Sequence, residues 1–184
     1  MTCGQGPVFV ESDGNGTVYC KVYSVLQSGS LGDSFPVVPV PAESLTGQGS
    51  AKPIYVDGLE QSVDYGRGTR SNLILNEVTG LAPATVLVQL YEPGNRSTPI
   101  AEQEVPLAAG EKKQLSTVFS GLGLESAERN KDRTNVLCVV TAKSGSGLVS
   151  AVVTTIDNRT GDTKNSLLTP TGGVSASGGG TIGF

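Results

Sequence analysis

The chain has 184 residues, a formal net charge of −4, and neither histidine nor tryptophan. Without histidine, Ser-His-Asp and Cys-His catalysis, histidine-ligated zinc and histidine-based pH switching are all excluded. The acidic balance argues against nucleic-acid binding, and no apolar run approaches the roughly 18 residues of a membrane-spanning helix. No phosphate-binding glycine loop or other cofactor motif is found, so we expect no cofactor. A chain rich in Val, Thr and Gly favours strands joined by tight turns.

Two segments near the ends of the chain share one pattern and predict an internal repeat. Residues 8–25 (VFVESDGNGTVYCKVYSV) align without a gap with residues 139–156 (VVTAKSGSGLVSAVVTTI). In each copy a strand runs into a Gly-containing turn, and a second strand alternates apolar and polar positions, as a β-hairpin requires. Just beyond the copies, Gly32-Asp33 parallels Gly161-Asp162 with a slip of two residues. The apolar face of the first hairpin consists of Val18, Cys20 and Val22.

The middle of the chain contains further strand candidates at short intervals. They are bounded by turn residues and lie at Lys52–Val56, Asn72–Val78, Thr85–Tyr91, Ile100–Leu107 and Asn135–Ala142. Several short strand candidates separated by turn residues are typical of an antiparallel sandwich. We therefore predict an all-β fold, an antiparallel β-sandwich of seven to nine strands.

One segment follows a helical period. Its apolar residues recur at intervals of three and four positions and predict one short helix within residues 114–122, at Leu115, Val118, Phe119 and Leu122. The next segment, Glu125–Arg133, is densely charged and predicts a solvated loop.

Composition shifts divide the chain into three parts. Residues 1–46 are predicted to hold an N-terminal hairpin and a connector, in which Pro36, Pro39 and Pro41 exclude a central strand. Residues 47–170 are predicted to form the sandwich module, and residues 171–184, which are rich in Gly and Ser, are predicted to form a flexible tail.

The N-terminal hairpin needs a partner, because a lone hairpin is only marginally stable in water. It either folds back on the sandwich of its own chain or inserts into a neighbouring subunit, and the first solution avoids the cost of association. Exchange between subunits would build open chains or filaments. The expected partner surface comprises the apolar residues of the hairpin and of the tail: Val18, Cys20, Val22, Ile182 and Phe184.

Acidic residues offer two candidate ligand sites. Asp57, Glu60 and Asp64 lie close together in the sequence and could act on a sugar as an acid–base pair, although a surface loop beside Arg67 and Arg70 is the simpler interpretation. Residues 157–162 faintly resemble a calcium loop, but Arg159 and the missing glutamate favour a hairpin turn with Asx hydrogen bonds.

The three cysteines are Cys3, Cys20 and Cys138. One disulfide would leave one thiol over, and the spacing does not fix the pairing. Burial as small apolar residues is the alternative for each of them.

Residues 72–162 resemble tandem Ig-like sandwich repeats of large secreted or surface proteins of bacteria. The resemblance rests on three stretches, NLILNEVTGLAPATVLVQLYEPG, VPLAAGEKKQLSTVFSGLGL and LVSAVVTTIDNRTGD. It implies an extracellular, non-catalytic structural or adhesive module whose partners are neighbouring domains or further copies of itself, with assembly into fibres by strand exchange. A glycan-binding or accessory module of a secreted hydrolase is the alternative, and no catalytic residue is implied.

Overall fold

The computed structural model of the chain describes residues 20–26, 29–35, 53–126 and 129–167. The described residues form ten strands and one short helix. In chain order these are β1 (Cys20–Leu26), β2 (Gly29–Phe35), β3 (Ile54–Gln61), β4 (Thr69–Glu77), β5 (Ala84–Tyr91), β6 (Ala101–Leu107), β7 (Lys112–Leu115), α1 (Val118–Gly121), β8 (Arg133–Gly145), β9 (Val149–Asp157) and β10 (Thr163–Leu167). In these residues no helix is long and apolar enough to cross a lipid bilayer.

Eight of the strands build two four-stranded antiparallel sheets. One sheet has the order β3-β8-β5-β6 and the other has the order β10-β9-β4-β7. Leu73, Leu75 and Val153 of the second sheet share one apolar core with Val86 and Val88 of the first, so the sheets pack face to face. This arrangement confirms the predicted all-β sandwich, and its eight strands fall within the predicted range.

The alternating pattern of the sequence explains how the core forms. Along β5 every second residue is buried, and the buried positions are Ala84, Val86, Val88 and Leu90. Because successive side chains of a strand point to opposite faces, this alternation sends one row of apolar side chains to the core. β8 contributes a second row at Val136, Cys138 and Val140, and it pairs with both β3 and β5.

The eight sandwich strands alternate in direction, which gives the molecule two distinct ends. We call the end that carries loops 78–83, 108–111 and 146–148 the base, and the opposite end, with loops 62–68, 92–100 and 158–162 and segment 116–132, the tip. β3 runs from base to tip, and β10 runs from tip to base. The chain therefore enters and leaves the sandwich towards the base.

The predicted helix over 114–122 is shorter than expected. Its first half is strand β7, in which Leu115 pairs with Leu73, and only Val118–Gly121 is helical. Phe119 is fully buried, and Leu115 still packs against the core. The helical spacing of the apolar residues arose because an edge strand and a single helical turn bury side chains on the same side.

The described part of the N-terminal region contains a hairpin whose first strand lies at the end of the predicted hairpin over residues 8–25. β1 pairs with β2 in a separate two-stranded sheet, with Cys20 opposite Phe35 and Leu26 opposite Gly29. β2 lies where the sequence predicted a connector, because Gly29–Phe35 precedes Pro36, the first proline of that connector, and pairs on one side with β1. Residues 8–19 and the prolines of the connector lie outside the described residues.

The two repeat copies agree only in part. At the aligned positions β1 corresponds to β9, and each is followed by an antiparallel partner. Gly32 and Asp33 lie inside β2, whereas Gly161 and Asp162 lie in the loop between β9 and β10. The similarity of these two dipeptides is therefore not a structural equivalence.

We expect Gly145→Ala to lower the free energy of unfolding by about 3 kcal/mol, because two penalties add at this position. Gly145 has φ +88, and a Cβ atom there would lie 2.3 Å from the Pro83 carbonyl oxygen. Gly94→Ala is the matched control, since Gly94 has φ +76 with nothing within 4 Å, and we expect it to cost only about 1 kcal/mol. Urea unfolding measures both, and equal losses would show that the close approach to Pro83 is unimportant.

Candidate functional site

A single buried carboxylate, that of Glu77, organises the base of the sandwich. Its side chain has no solvent exposure. Oε1 accepts hydrogen bonds from the Thr79 backbone N–H at 3.0 Å, the Thr79 hydroxyl at 2.5 Å and the Leu148 N–H at 3.2 Å. Oε2 accepts from the N–H groups of Gly80 at 2.8 Å and Gly110 at 2.7 Å. Glu77 thus ties all three loops of the base together.

Gly110 and Gly147 suit the loops around Glu77 for different reasons. Gly110 has φ +71, a left-handed backbone conformation that favours glycine, although a Cβ atom there would make only an ordinary contact, 3.6 Å from the Gly80 Cα atom. A Cβ atom on Gly147 would lie 2.9 Å from the Glu77 Cγ atom and 2.4 Å from the Ala82 carbonyl oxygen. Any larger residue at position 147 would push the carboxylate and the loop apart.

The surroundings of Glu77 favour its ionised form. Burial raises the pKa of the carboxyl group, but the hydrogen bonds from Thr79, Gly110 and Gly80 outweigh burial, and the pKa lies below its ordinary value. A carboxylate has about four acceptor sites, and five donors fill them here. The group therefore acts as a structural tie and has no acceptor capacity left for a ligand.

The tip contains a shallow depression of about 430 Å³. It lies where three segments meet: the loop between β3 and β4, the residue before β8, and the loop between β9 and β10. The residues that line it are Ser62, Val63, Asp64, Arg67, Gly68, Thr69, Asp132 and Arg159.

Hydrogen bonds from neighbouring segments hold the β3–β4 loop in place. The loop is closed by the Ser62 N–H, which donates to the Thr69 carbonyl at 2.8 Å, and by the Thr69 N–H, which donates to the Ser62 hydroxyl at 3.0 Å. The Val63 N–H donates to Asp132 Oδ1 at 2.7 Å, and the Asn158 N–H donates to the Gly68 carbonyl at 2.9 Å. The depression is therefore shaped before any ligand arrives.

The charged side chains at the depression differ in how firmly they are held. Arg159 binds Asp157 through two bonds, Nε to Oδ1 at 3.2 Å and Nη2 to Oδ2 at 2.9 Å, and these bonds lower the pKa of Asp157 to about 2. The Asp157 Oδ1 atom also accepts from the Arg159 N–H at 2.9 Å, which confirms the predicted Asx turn. In contrast, Arg67 is 90% exposed, and its Nε lies 3.9 Å from Asp64 Oδ2, beyond hydrogen-bonding distance.

The three acidic residues singled out in the sequence do not form a common loop. Asp57 is exposed and Glu60 is half-buried, and both lie in strand β3. Only Asp64 lies in the loop that follows and lines the depression. The expected Gly-containing loop was wrong for the first two, because Gly58 lies at an irregularity of the β3–β8 pairing and does not end the strand.

The cysteines and the expected partner surface are only partly described. Cys138 is a buried free thiol in the middle of β8, and burial raises its pKa to about 12. It is thus a core residue and not a disulfide partner, which confirms for Cys138 the alternative of burial as a small apolar residue. Cys20 and Val22 belong to β1, while Cys3, Val18, Ile182 and Phe184 lie outside the described residues.

Sequence reasoning missed the role of Arg133, which was assigned to a solvated charged loop. Arg133 is only 5% exposed, and its guanidinium lies 5.8 Å from the centre of the Phe119 ring. It donates to the Arg129 carbonyl at 2.6 Å and pairs with Glu92 at 3.6 Å. The start of strand β8 is thereby anchored at the tip, and the sequence carried no signal that separates Arg133 from its exposed neighbours.

Comparisons with protein-family models, with curated proteins and with solved structures gave no match to this chain. Within the residues described here, no group of three or more cysteine and acidic side chains is arranged to hold a metal ion.

We expect Glu77→Gln to lower the free energy of unfolding by about 2–4 kcal/mol, because the amide group would face N–H donors that now point at a carboxylate oxygen. Glu104→Gln is the matched control, since Glu104 is 58% exposed in its pair with Lys143 and its loss should cost less than about 1 kcal/mol. Urea unfolding of both variants tests this, and comparable losses would contradict the assigned role of Glu77.

The depressed pKa of Glu77 also predicts a pH dependence. A group whose folded pKa lies below its unfolded value, about 4.3 for glutamate, stabilises the fold above that value. This stabilisation is lost as the pH falls through the lower folded pKa. We therefore expect stability to fall less steeply in Glu77→Gln than in the unmodified protein between about pH 5 and pH 2. Parallel curves in chemical denaturation would refute the prediction.

Proposed function

We propose that the chain is a non-catalytic structural or adhesive β-sandwich module that associates through its N-terminal hairpin. The observation that carries the proposal is the separate β1–β2 sheet beside strand β10. The hairpin belongs to neither four-stranded sheet, and Cα atoms of β2 come within 8 Å of Cα atoms of β10.

The edge of the second sheet offers a place for this hairpin. β10 is the outermost described strand of this sheet and pairs with β9 on its inner side. A strand at the edge of a sheet is a position at which a further strand can be added by backbone hydrogen bonding. A two-stranded hairpin is marginally stable in water by itself, so docking on β10 would stabilise both parts.

The connector between the hairpin and the sandwich permits docking within one chain or between two. Residues 36–53 separate β2 from β3 and could span about 60 Å when fully extended. That is longer than the 13 residues of β8, which span about 44 Å. Docking within the chain has no association cost and dominates when the protein is dilute. Docking on a neighbour is heterologous and, at high concentration, builds open chains.

The buried ionisable groups support a structural role in place of catalysis. The carboxylate of Glu77 accepts hydrogen bonds from three loops, and the guanidinium group of Arg133 is held between Phe119 and Glu92. Both groups are used to hold loops, so the described charges that are most shielded from water serve the scaffold.

Deleting residues 1–45 tests the proposal. We expect the full chain to sediment faster as its concentration rises, and the deletion variant to lose this dependence and to unfold at lower urea. Leu81→Ser is the control, because Leu81 is 87% exposed at the base and could cause unspecific association.

Two outcomes of sedimentation velocity would refute association through the hairpin, and a third outcome, seen in urea unfolding, would refute only docking within the chain. Association that persists after the deletion excludes hairpin exchange, and association abolished by Leu81→Ser assigns it to unspecific contact. A deletion variant that stays monomeric and fully stable excludes docking of the hairpin on β10 within the chain.

A further inference from the structure

The depression at the tip combines opposite charges in equal number. Arg67 and Arg159 line it together with Asp64 and Asp132. An anionic ligand would be attracted by the guanidinium groups and repelled by the carboxylates, and a cationic ligand would meet the reverse. The lining therefore favours an occupant that carries no net charge.

The same lining is rich in groups that exchange hydrogen bonds. Arginine side chains only donate hydrogen bonds and carboxylates only accept them. The hydroxyl groups of Ser62 and Thr69 can both donate and accept. Vicinal sugar hydroxyls donate and accept from adjacent positions and so match a lining that mixes donors with acceptors. Val63 is 48% exposed and adds an apolar wall against which the C–H face of a sugar ring can pack.

The two arginine side chains of the depression differ in mobility: Arg159 is fixed, and Arg67 is not. The Arg159 guanidinium is held by Asp157 in two hydrogen bonds, whereas the Arg67 guanidinium is 90% exposed and has only a long contact to Asp64. Arg67 can therefore turn towards a ligand without breaking a strong bond. Gly68 keeps the loop compact, because a Cβ atom there would lie 2.3 Å from the Ser62 hydroxyl oxygen.

We propose that the tip depression binds a neutral saccharide, with Arg67 as the principal donor, Asp64 as an acceptor and Val63 as the apolar contact. The site rests on the adhesive part of the proposed function and gives it a ligand class. It differs from the acidic set suggested by the sequence, because Asp57 and Glu60 lie outside the depression.

The test uses the full chain at a concentration at which sedimentation shows a single monomeric species. An immobilised panel contains neutral oligosaccharides of hexoses and N-acetylhexosamines, sialylated and sulfated oligosaccharides, and acidic and basic peptides. We expect retention on at least one neutral oligosaccharide, and titration calorimetry then measures its affinity for the variants.

Arg67→Ala should weaken that affinity at least tenfold, and Asp64→Asn should weaken it severalfold. Arg96→Ala is the matched control, because Arg96 is also exposed at the tip but lies in loop 92–100 outside the depression, and it should change affinity less than twofold. Arg67→Lys separates charge from geometry: it should recover only part of the loss, because an ammonium group does not reproduce the planar fork of a guanidinium.

Retention on charged oligosaccharides or peptides only, absence of all retention, or an unchanged affinity in Arg67→Ala would each overturn the saccharide site. Its fate is separate from that of the hairpin, since saccharide binding by a protein that never associates would leave the site standing and refute only hairpin exchange.

Discussion

The Glu77 carboxylate links three loops at the base of the sandwich that the backbone hydrogen bonds within the two sheets do not link to one another. Each of the three base loops crosses from one sheet to the other: β4 to β5, β6 to β7, and β8 to β9. The backbone hydrogen bonds of a sheet fix neighbouring strands but not the position of one sheet on another. By accepting from residues in all three crossings, one side chain sets how the sheets meet at the base.

A buried charge is an expensive way to hold loops unless it is fully paired, since the desolvation of an ion costs several kcal/mol. Here the partners are mostly backbone N–H groups of turn residues, which would themselves be costly to bury without acceptors. Each group therefore offsets the desolvation cost of the other by hydrogen bonding to it. The tip is built differently, because several separate contacts hold it: the bond from the Val63 N–H to Asp132 lies at an exposed position, whereas Arg133 is buried against Phe119. The base, in contrast, depends on one shared carboxylate.

The sequence predicts the parts of this fold that depend on periodicity. Strand β5 alternates along its whole length, so its position and its buried face could both be read directly. The structure of the segment around Leu115 could not be predicted from its periodicity. Side chains of an edge strand and of one helical turn reach the same core there, and their spacing in the sequence is that of a helix. The structural roles of Glu77 and Arg133 could not be predicted for a different reason. Their importance depends on partners such as Gly110 and Phe119, which are distant in sequence, and composition alone does not bring those residues together. The predicted loop position was right for Asp64, which lies between β3 and β4, and wrong for Asp57, because a strand irregularity at Gly58 resembles a loop in the sequence.

The even number of sandwich strands has a consequence for how such a module can be joined to other polypeptides. β3 starts and β10 ends towards the base. Because β6 and β7 are directly connected at one edge of the two sheets, β3 and β10 lie together at the opposite edge, and the first and last residues of the sandwich, Ile54 and Leu167, are neighbours. Their lateral separation is on the order of the spacing between packed sheets, about 10 Å. A domain with adjacent ends can be inserted into a surface loop of a host protein without forcing that loop's two ends apart. Residues 53–167 therefore have the geometry of a domain that can be inserted into a loop of another protein, with all of its tip loops directed away from the insertion point.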